Sequence, residues 1–379
     1  MYTEIIKIIE GGLANDREKI INYANVLANN LKQSGDASLA HRIETILQKK
    51  QGTFTTLDSF STKPVDTESR MDIVEITMPT GLPEQMILNT YAKEAMDTFI
   101  ASYRSRDALL KAGLDVPNSL LLYGPPGCGK TTMAHYISNI ISLPLVTARL
   151  DGLVSSLLGS TAKNIRKLFD YASQRDCILF LDEFDVIAKL RDDKNELGEL
   201  KRVVNSLIQN IDMFSNNSIL IAATNHHEML DSAIWRRFST VITLGRPQKE
   251  EIASLLKALL ETKETNFMQN PKKKEAIVSA LQEFSHSEIK TIIHMALKHM
   301  ILSDKSCLCS CDVLKQIYFH TYHAIEDESG FVDFLLQHGA THREINEEAD
   351  IPLRTIQNVS KRRSMDHENR ETADYSLLS

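Results

Sequence analysis

With 379 residues the chain is longer than one ordinary domain, so roughly two to four folding units are expected. An apolar content of 42% with 25% charged residues is that of a soluble globular protein, and a net charge of −7 argues against wholesale coating of nucleic acid. No apolar run approaches bilayer length and Met1-Tyr2-Thr3-Glu4 lacks a basic leader, so a cytoplasmic location and no membrane partner are expected.

Residues 1–50 read as a small helical module. An Asn15-x-x-Glu18 capping box precedes Ile20, Ala24, Leu27 and Leu31 at helical spacing. Ser34-Gly35 ends that helix, and Asp36 opens another carrying Leu39, Ile43, Ile46 and Leu47. Residues 51–77, rich in Ser and Thr, read as a linker.

From 78 to 247 short apolar runs alternate with helical patterns. The runs are Leu120–Leu122, Pro144–Thr147, Ile178–Leu181, Ile219–Ala223 and Val241–Leu244. That alternation predicts an α/β fold in which a parallel sheet is covered by helices on both faces. Residues 248–327 carry only helical periodicity, with starts at Asn270-Pro271 and Ser285-x-x-Glu288, and predict a lid of about four helices. Residues 328–363 read as a helix-turn-helix-like segment and residues 364–379 as a flexible tail.

The chemistry begins at Gly124-Pro125-Pro126-Gly127-Cys128-Gly129-Lys130-Thr131-Thr132, which fits the G-x-x-x-x-G-K-[ST] phosphate loop between an apolar strand and a helix. In that context backbone N–H groups cradle a triphosphate, Lys130 reaches the β- and γ-phosphates, and the Thr131 hydroxyl holds Mg²⁺. A nucleoside triphosphate and Mg²⁺ are therefore the expected ligands. A second apolar strand ends in Asp182-Glu183: Asp182 is placed to orient Mg²⁺ and Glu183 to activate the attacking water. A third ends in Asn225, an amide suited to holding water near the γ-phosphate. Arg236-Arg237 then offers guanidinium groups for the transition-state charge.

Phosphate loop, Asp182-Glu183, Asn225, Arg236-Arg237 and lid, in that order from about Asn89 to Asp327, resemble the AAA+ superfamily and its AAA clade. The resemblance implies an ATPase with a P-loop AAA+ domain. It gives Asn225 the sensor role, sends Arg236 and Arg237 to a neighbouring subunit's nucleotide, and implies a ring, most often a hexamer. Glu283-Phe284-Ser285-His286-Ser287-Glu288-Ile289 stands where the clade usually has Gly-Phe-Ser-Gly-Ala-Asp-Ile. His286 and Ser287 thus replace small residues that contact nucleotide, which leaves affinity and base selectivity open. Ser156-Leu157-Leu158-Gly159 stands where unfoldases of the clade carry an aromatic-aliphatic-Gly pore grip. Leu157 lacks the ring face, so the segment is either a weaker grip or an ordinary apolar turn.

Thr341 to Val359 resembles a helix-turn-helix. Ile345 and Ala349 would be buried in the first helix, the turn falls at Asp350-Ile351, and the second helix starts at Pro352 and buries Ile356. Arg354, Thr355, Gln357, Asn358 and Lys361-Arg362-Arg363 make residues 341–363 a candidate DNA contact. Asn346 and Asp350 depart from the usual small and Gly residues, and a protein-docking module is the alternative. Cys307, Cys309 and Cys311 do not have the C-x-x-C spacing of structural zinc sites and are expected to be reduced loop cysteines.

Three functions compete: an ATP-driven remodeller of a protein substrate or partner, a DNA-associated ATPase, and a scaffold that binds nucleotide without hydrolysis. Retention of Glu183 and both arginines disfavours the last. No H-E-x-x-H or G-x-S-x-G motif is present, so any proteolysis would need a separate protease. Single-ring bacterial AAA proteins of this look are sometimes paired with a subtilisin-like protease in phage-defence or plasmid-associated modules.

Overall fold

Strands buried on both faces carry nearly continuous apolar runs, and those of this chain build the centre of the molecule. The computed structural model describes residues 5, 7, 23–24, 26–28, 30–31, 63–65, 72–80, 86–149, 158–186, 197–214, 218–230, 232–325 and 327–363. Within these, β1 (Glu75–Thr77), β2 (Ser119–Tyr123), β3 (Leu145–Arg149), β4 (Ile178–Asp182), β5 (Ile219–Thr224) and β6 (Thr240–Thr243) form a six-stranded sheet of order β1-β3-β4-β5-β2-β6. All neighbours are parallel except β1, which runs antiparallel to β3 with Ile76 opposite Val146.

Alternate side chains of these strands feed two separate cores. Leu121, Val146, Leu179, Leu181 and Leu220 face α4 (Leu158–Ser173) and α5 (Leu197–Asp212), which contribute Ile165, Leu168, Phe169, Val203 and Leu207. Leu120, Leu122, Ile178, Phe180 and Ile221 face α1 (Thr90–Arg104) and α3 (Lys130–Ile141), through Met96, Phe99, Met133 and Ile137. Asn89 caps α1 by accepting from the Ala92 amide at 2.7 Å. The short α2 (Arg106–Lys111) buries nothing. Truncating one of the large buried rings, Phe180→Ala for instance, would cost about 3–5 kcal/mol.

Strand β1 corrects the linker reading, since Glu75–Thr77 lies within 51–77. Three residues are too few to show alternation in the sequence, yet β1 covers the edge of β3 and Val74 beside it is buried. Of the expected N-terminal module only Ile5, Lys7 and scattered positions between 23 and 31 are described, all helical, with Ala24, Ala28 and Leu31 buried. The second expected helix, the Leu157 loop and the tail at 364–379 lie outside the described residues.

After α6 (Ser232–Trp235) and β6 the named elements are all helices: α7 (Lys249–Leu259), α8 (Pro271–Ala280), α9 (His286–Leu302) and α10 (Ser310–Tyr322). Asn270 caps α8 through the amides of Lys272 and Lys273. The Ser285/Glu288 box at α9 is reciprocal: the Ser285 amide donates to Glu288 Oε2 at 2.7 Å and the Glu288 amide to Ser285 Oγ at 3.3 Å.

The chain continues into α11 (Glu328–Gln337), α12 (His342–Ala349) and a last helix over residues 353–363. Phe331, Leu335, Ile345, Ile351, Ile356 and Val359 share one buried cluster with Leu314, Ile317 and Ile293 of the lid. Residues 249–363 therefore pack around a single core. Lys273 pairs with Glu344 and Lys305 with Glu348 across that junction, and Lys305 also pairs with Asp312 within the lid. The two departures in the turn have local reasons. Asp350 takes the left-handed conformation at φ +55°, and Asn346 Nδ2 donates to the Ile351 carbonyl at 2.8 Å.

All five cysteines are free thiols. Cys311 is buried inside α10, not in a loop, and burial pushes its thiol up to about 12. Cys309 stands beside Asp312 and Glu348, but the Lys305 ammonium already pairs with both acids. No helix among the described residues is long and apolar enough to cross a membrane.

Candidate nucleotide site

Strand β2 delivers the chain into the loop at 124–129, and α3 starts at Lys130. Gly124, Gly127 and Gly129 have φ of +147°, +73° and +92°. A Cβ on Gly124 would sit 1.9 Å from the Leu244 carbonyl oxygen, and one on Gly127 2.6 Å from Ser285 Oγ. Only glycine fits both approaches. This is the kind of loop whose backbone N–H groups make an anion-binding concavity ahead of a helix N-terminus.

The Lys130 side chain is buried, and its Nζ donates to the carbonyl oxygens of Gly124 at 2.8 Å and Pro125 at 2.9 Å. Burial lowers its pKa, while the charge of Asp182 works against that shift. Both hydrogen-bond partners are neutral, so the ammonium presents its charge to the cavity. Thr131 Oγ1 donates to Asp182 Oδ2 at 3.3 Å, bringing two oxygen ligands for a hard cation together. The Glu183 amide donates to Asp182 Oδ1 at 2.9 Å, and Glu183 itself has φ +54°, a strained conformation that turns the chain sharply off β4.

A cavity of about 400 Å³ is lined by residues 126–132, Asp182, Glu183 and Asn225 on one side. Met86, Ile87, Leu255, His286, Ser287 and Lys290 line the other. The Ser287 amide donates to the Gly127 carbonyl at 3.0 Å, so the lid touches the loop directly. Gly124 and Pro125 stand behind the lining and hold Lys130 instead.

Arg236 and Arg237 do not line this cavity. Arg236 is exposed, and Arg237 binds Asp212 at the end of α5. Asp185 escapes the motif-based reading, although a third acid in Asp182-Glu183-Phe184-Asp185 is a visible signal. It is buried, and its Oδ1 accepts from Thr224 Oγ1 and the Asn225 amide, each at 3.4 Å. It thereby fixes the end of β5 against that of β4. Met86, Ile87 and Leu255 carry no signal, being apolar residues distant in sequence that only tertiary packing brings to the loop.

A family model described as ATPase family associated with various cellular activities (AAA) matches residues 120–246. Over 235 residues the chain is 40% identical to the uncharacterized AAA family ATPase y4kL of Sinorhizobium fredii, covering 62% of this chain and 70% of that protein. It is 29% identical over 253 residues to proteasome-activating nucleotidase 2 of Haloferax volcanii, covering 59% of that protein. With the chloroplastic ATP-dependent zinc metalloprotease FTSH 7 of Arabidopsis thaliana it shares 33% identity over 181 residues, 23% of the relative's length.

Proposed function

Because the chain belongs to the AAA family of ATPases, we propose that it works as an oligomeric ring that hydrolyses Mg²⁺-ATP and couples the cycle to remodelling a protein substrate. That it is an ATPase follows from the family, which binds ATP and typically a divalent metal. The observation that carries the reading is the convergence of Lys130, Thr131, Asp182, Glu183 and Asn225 on one cavity roofed by the lid.

Thr131 and Asp182 offer a hydroxyl and a carboxylate of the kind Mg²⁺ accepts directly or through its waters. When bound, Mg²⁺ neutralises charge on the β- and γ-phosphates. In our reading Lys130 grips those phosphates, Glu183 takes a proton from the attacking water, and Asn225 holds that water in line. Gly124, Pro125, Pro126, Gly127, Cys128, Gly129 and Thr132 shape the cradle. Arg236 and Arg237 act on a neighbour's nucleotide, which is why a ring, a hexamer by the family's habit, is part of the proposal.

A protein substrate is supported by the relatives named as a proteasome-activating nucleotidase and as an ATP-dependent metalloprotease. Both likenesses cover less than two thirds of the relative. Pore contact through Leu157 and Leu158 and a separate protease partner complete this reading. A second reading, DNA engagement by residues 341–363, is favoured by one observation. Glu344 and Glu348 turn inward onto Lys273 and Lys305, while Arg354, Gln357, Asn358, Lys361 and Arg362 of the last helix stay exposed.

ATP turnover of wild type, titrated with denatured protein, duplex DNA or neither, decides between them. Stimulation by denatured protein supports remodelling, and stimulation by DNA alone replaces it with the second reading. A particle that stays monomeric by light scattering with saturating Mg²⁺-ATP at all concentrations removes the ring.

A further inference from the structure

Trp235, the single tryptophan of the chain, closes α6 and directly precedes Arg236. Its indole meets two rings edge-on: Tyr123 at 5.5 Å between centroids and His227 at 6.4 Å, with interplanar angles of 78° and 89°. Tyr123 and His227 also meet each other at 4.6 Å. All three separations lie in the range where aromatic rings attract. The two partners come from the frame of the nucleotide cavity. Tyr123 ends β2 and leads straight into Gly124, and His227 follows Asn225 by two residues just beyond β5. None of the three rings lines the cavity itself.

A helix of four residues has little hold of its own, since it closes hardly more than the costly first turn. Packing therefore fixes α6 and the residues after it. Ile234 is buried in the core that the sheet forms with α4 and α5, Arg237 is forked onto Asp212, and Trp235 rests on Tyr123 and His227. Arg236 stands between the last two anchors and is exposed. We propose that Trp235 is a positioning residue for Arg236, tying the guanidinium that acts on a neighbour's nucleotide to the strand ends that hold the chain's own. The proposal rests on the trans-acting reading of Arg236 and adds to it a residue that touches no nucleotide.

The test is a double-mutant cycle on single-turnover hydrolysis of Mg²⁺-ATP, with ATP affinity measured alongside. Trp235→Leu should lower the rate roughly 10- to 100-fold, the cost of misplacing a reacting group by about 1 Å, and leave affinity within about twofold. Trp235→Phe, which keeps an aromatic edge, should recover most of the rate. In an Arg236→Ala background Trp235→Leu should cost nothing further, because the group it positions is gone. Wild-type turnover in Trp235→Leu, or equal fold losses in both backgrounds, would overturn the proposal. Full turnover in Arg236→Ala alone would remove the trans-acting reading and the proposal with it. A loss there, with equal losses for Trp235→Leu in both backgrounds, removes the proposal only. His227→Ala changes an exposed ring and leaves the indole in place, so it serves where Trp235→Leu fails to fold. It should shift the emission of the sole tryptophan and lower turnover severalfold, again only where Arg236 is present. Unchanged emission or unchanged turnover in His227→Ala would overturn the proposal as well.

Discussion

The guanidinium of Arg237 is clasped by both carboxylate oxygens of Asp212, with Nε 2.9 Å from Oδ1 and NH2 3.0 Å from Oδ2. The fork pins the segment before β6 to the last residue of α5 on the same chain. Arg236, next to it, is exposed. Two adjacent arginines that look equivalent in the sequence are thus unequal in the fold. One is braced against Asp212 of its own chain and the other is exposed.

This inequality separates two variants. Arg236→Ala should bind ATP and leave thermal stability nearly unchanged, while hydrolysis falls on the order of 10³-fold, the scale of an inserted guanidinium. Arg237→Ala should also lower stability, by about 0.5–1 kcal/mol for a half-exposed forked pair, and Asp212→Asn should copy that loss. Turnover and unfolding measured on the same samples check the split. If Arg236→Ala hydrolyses normally, the trans-acting assignment fails.

Glu183 and Lys130 should fail in different ways. Glu183→Gln keeps the shape of the cavity and every positive group in it, so ATP affinity should hold while turnover drops roughly 10²–10⁴-fold. Lys130→Ala removes the one ammonium bound to the loop's own carbonyls, and affinity should fall roughly 10- to 100-fold, the worth of a charged hydrogen bond. Equilibrium binding against single-turnover hydrolysis separates the two. Loss of binding in Glu183→Gln would mean that this carboxylate shapes the site instead of activating water.

The pH dependence follows from the sign of the His286 shift. Its folded pKa lies below the ordinary value of 6.5 because of burial and Lys290. The unfolded chain therefore takes up this proton first as pH falls. The ring's contribution to stability is complete above about 6.5 and is lost as pH drops from there through the folded pKa, with a slope of at most about 1.4 kcal/mol per pH unit. Denaturant unfolding at pH 7.5, 6.5 and 5.5 should show a steeper loss in wild type than in His286→Gln. Parallel curves would mean that the ring titrates alike in both states.

The sequence makes the phosphate loop and the Asp182-Glu183 strand end visible because each function there admits few residue types: glycine at positive φ, a lysine, a hydroxyl, two acids. Helix starts at Asn270 and Ser285 are equally legible, since capping is a local event. What stays hidden depends on tertiary approach. Asp185 matters because β5 ends beside β4, and Asp212 because α5 ends beside Arg237. Strand β1 is three residues long and exists by pairing with β3. The shared core of the lid and residues 328–363 could not be read either, because apolar periodicity says that a face is buried and not against what.

Charge placement around that shared core supports a fourth test. Lys305 lies between Glu348 and the buried Asp312, and hydrogen bonds to both raise its pKa despite the opposing cost of burial. Lys305→Ala would strand Asp312 beside Glu348. Discounted for partial exposure, the loss should be about 1–3 kcal/mol. Lys305→Ala with Glu348→Gln should recover part of it in a double-mutant cycle. Strict additivity would show that the ion pair does not join the C-terminal helices to the lid.

The same pairing sharpens the DNA question. With Glu344 and Glu348 drawn inward, the outward face of the last helix carries Arg354, Lys361 and Arg362, while Arg363 is partly engaged by Asp333. Removing the first three charges should therefore not touch the core, and stability should stay within about 0.5 kcal/mol. If this face grips phosphates, duplex binding should weaken and the slope of log K against log salt should shrink by about 0.9 for each phosphate no longer neutralised. A protein-docking role predicts no duplex binding at low salt even in wild type, with the face engaged by polypeptide instead. Arg363→Ala provides the contrast, since its effect should show first in stability and only second in any binding.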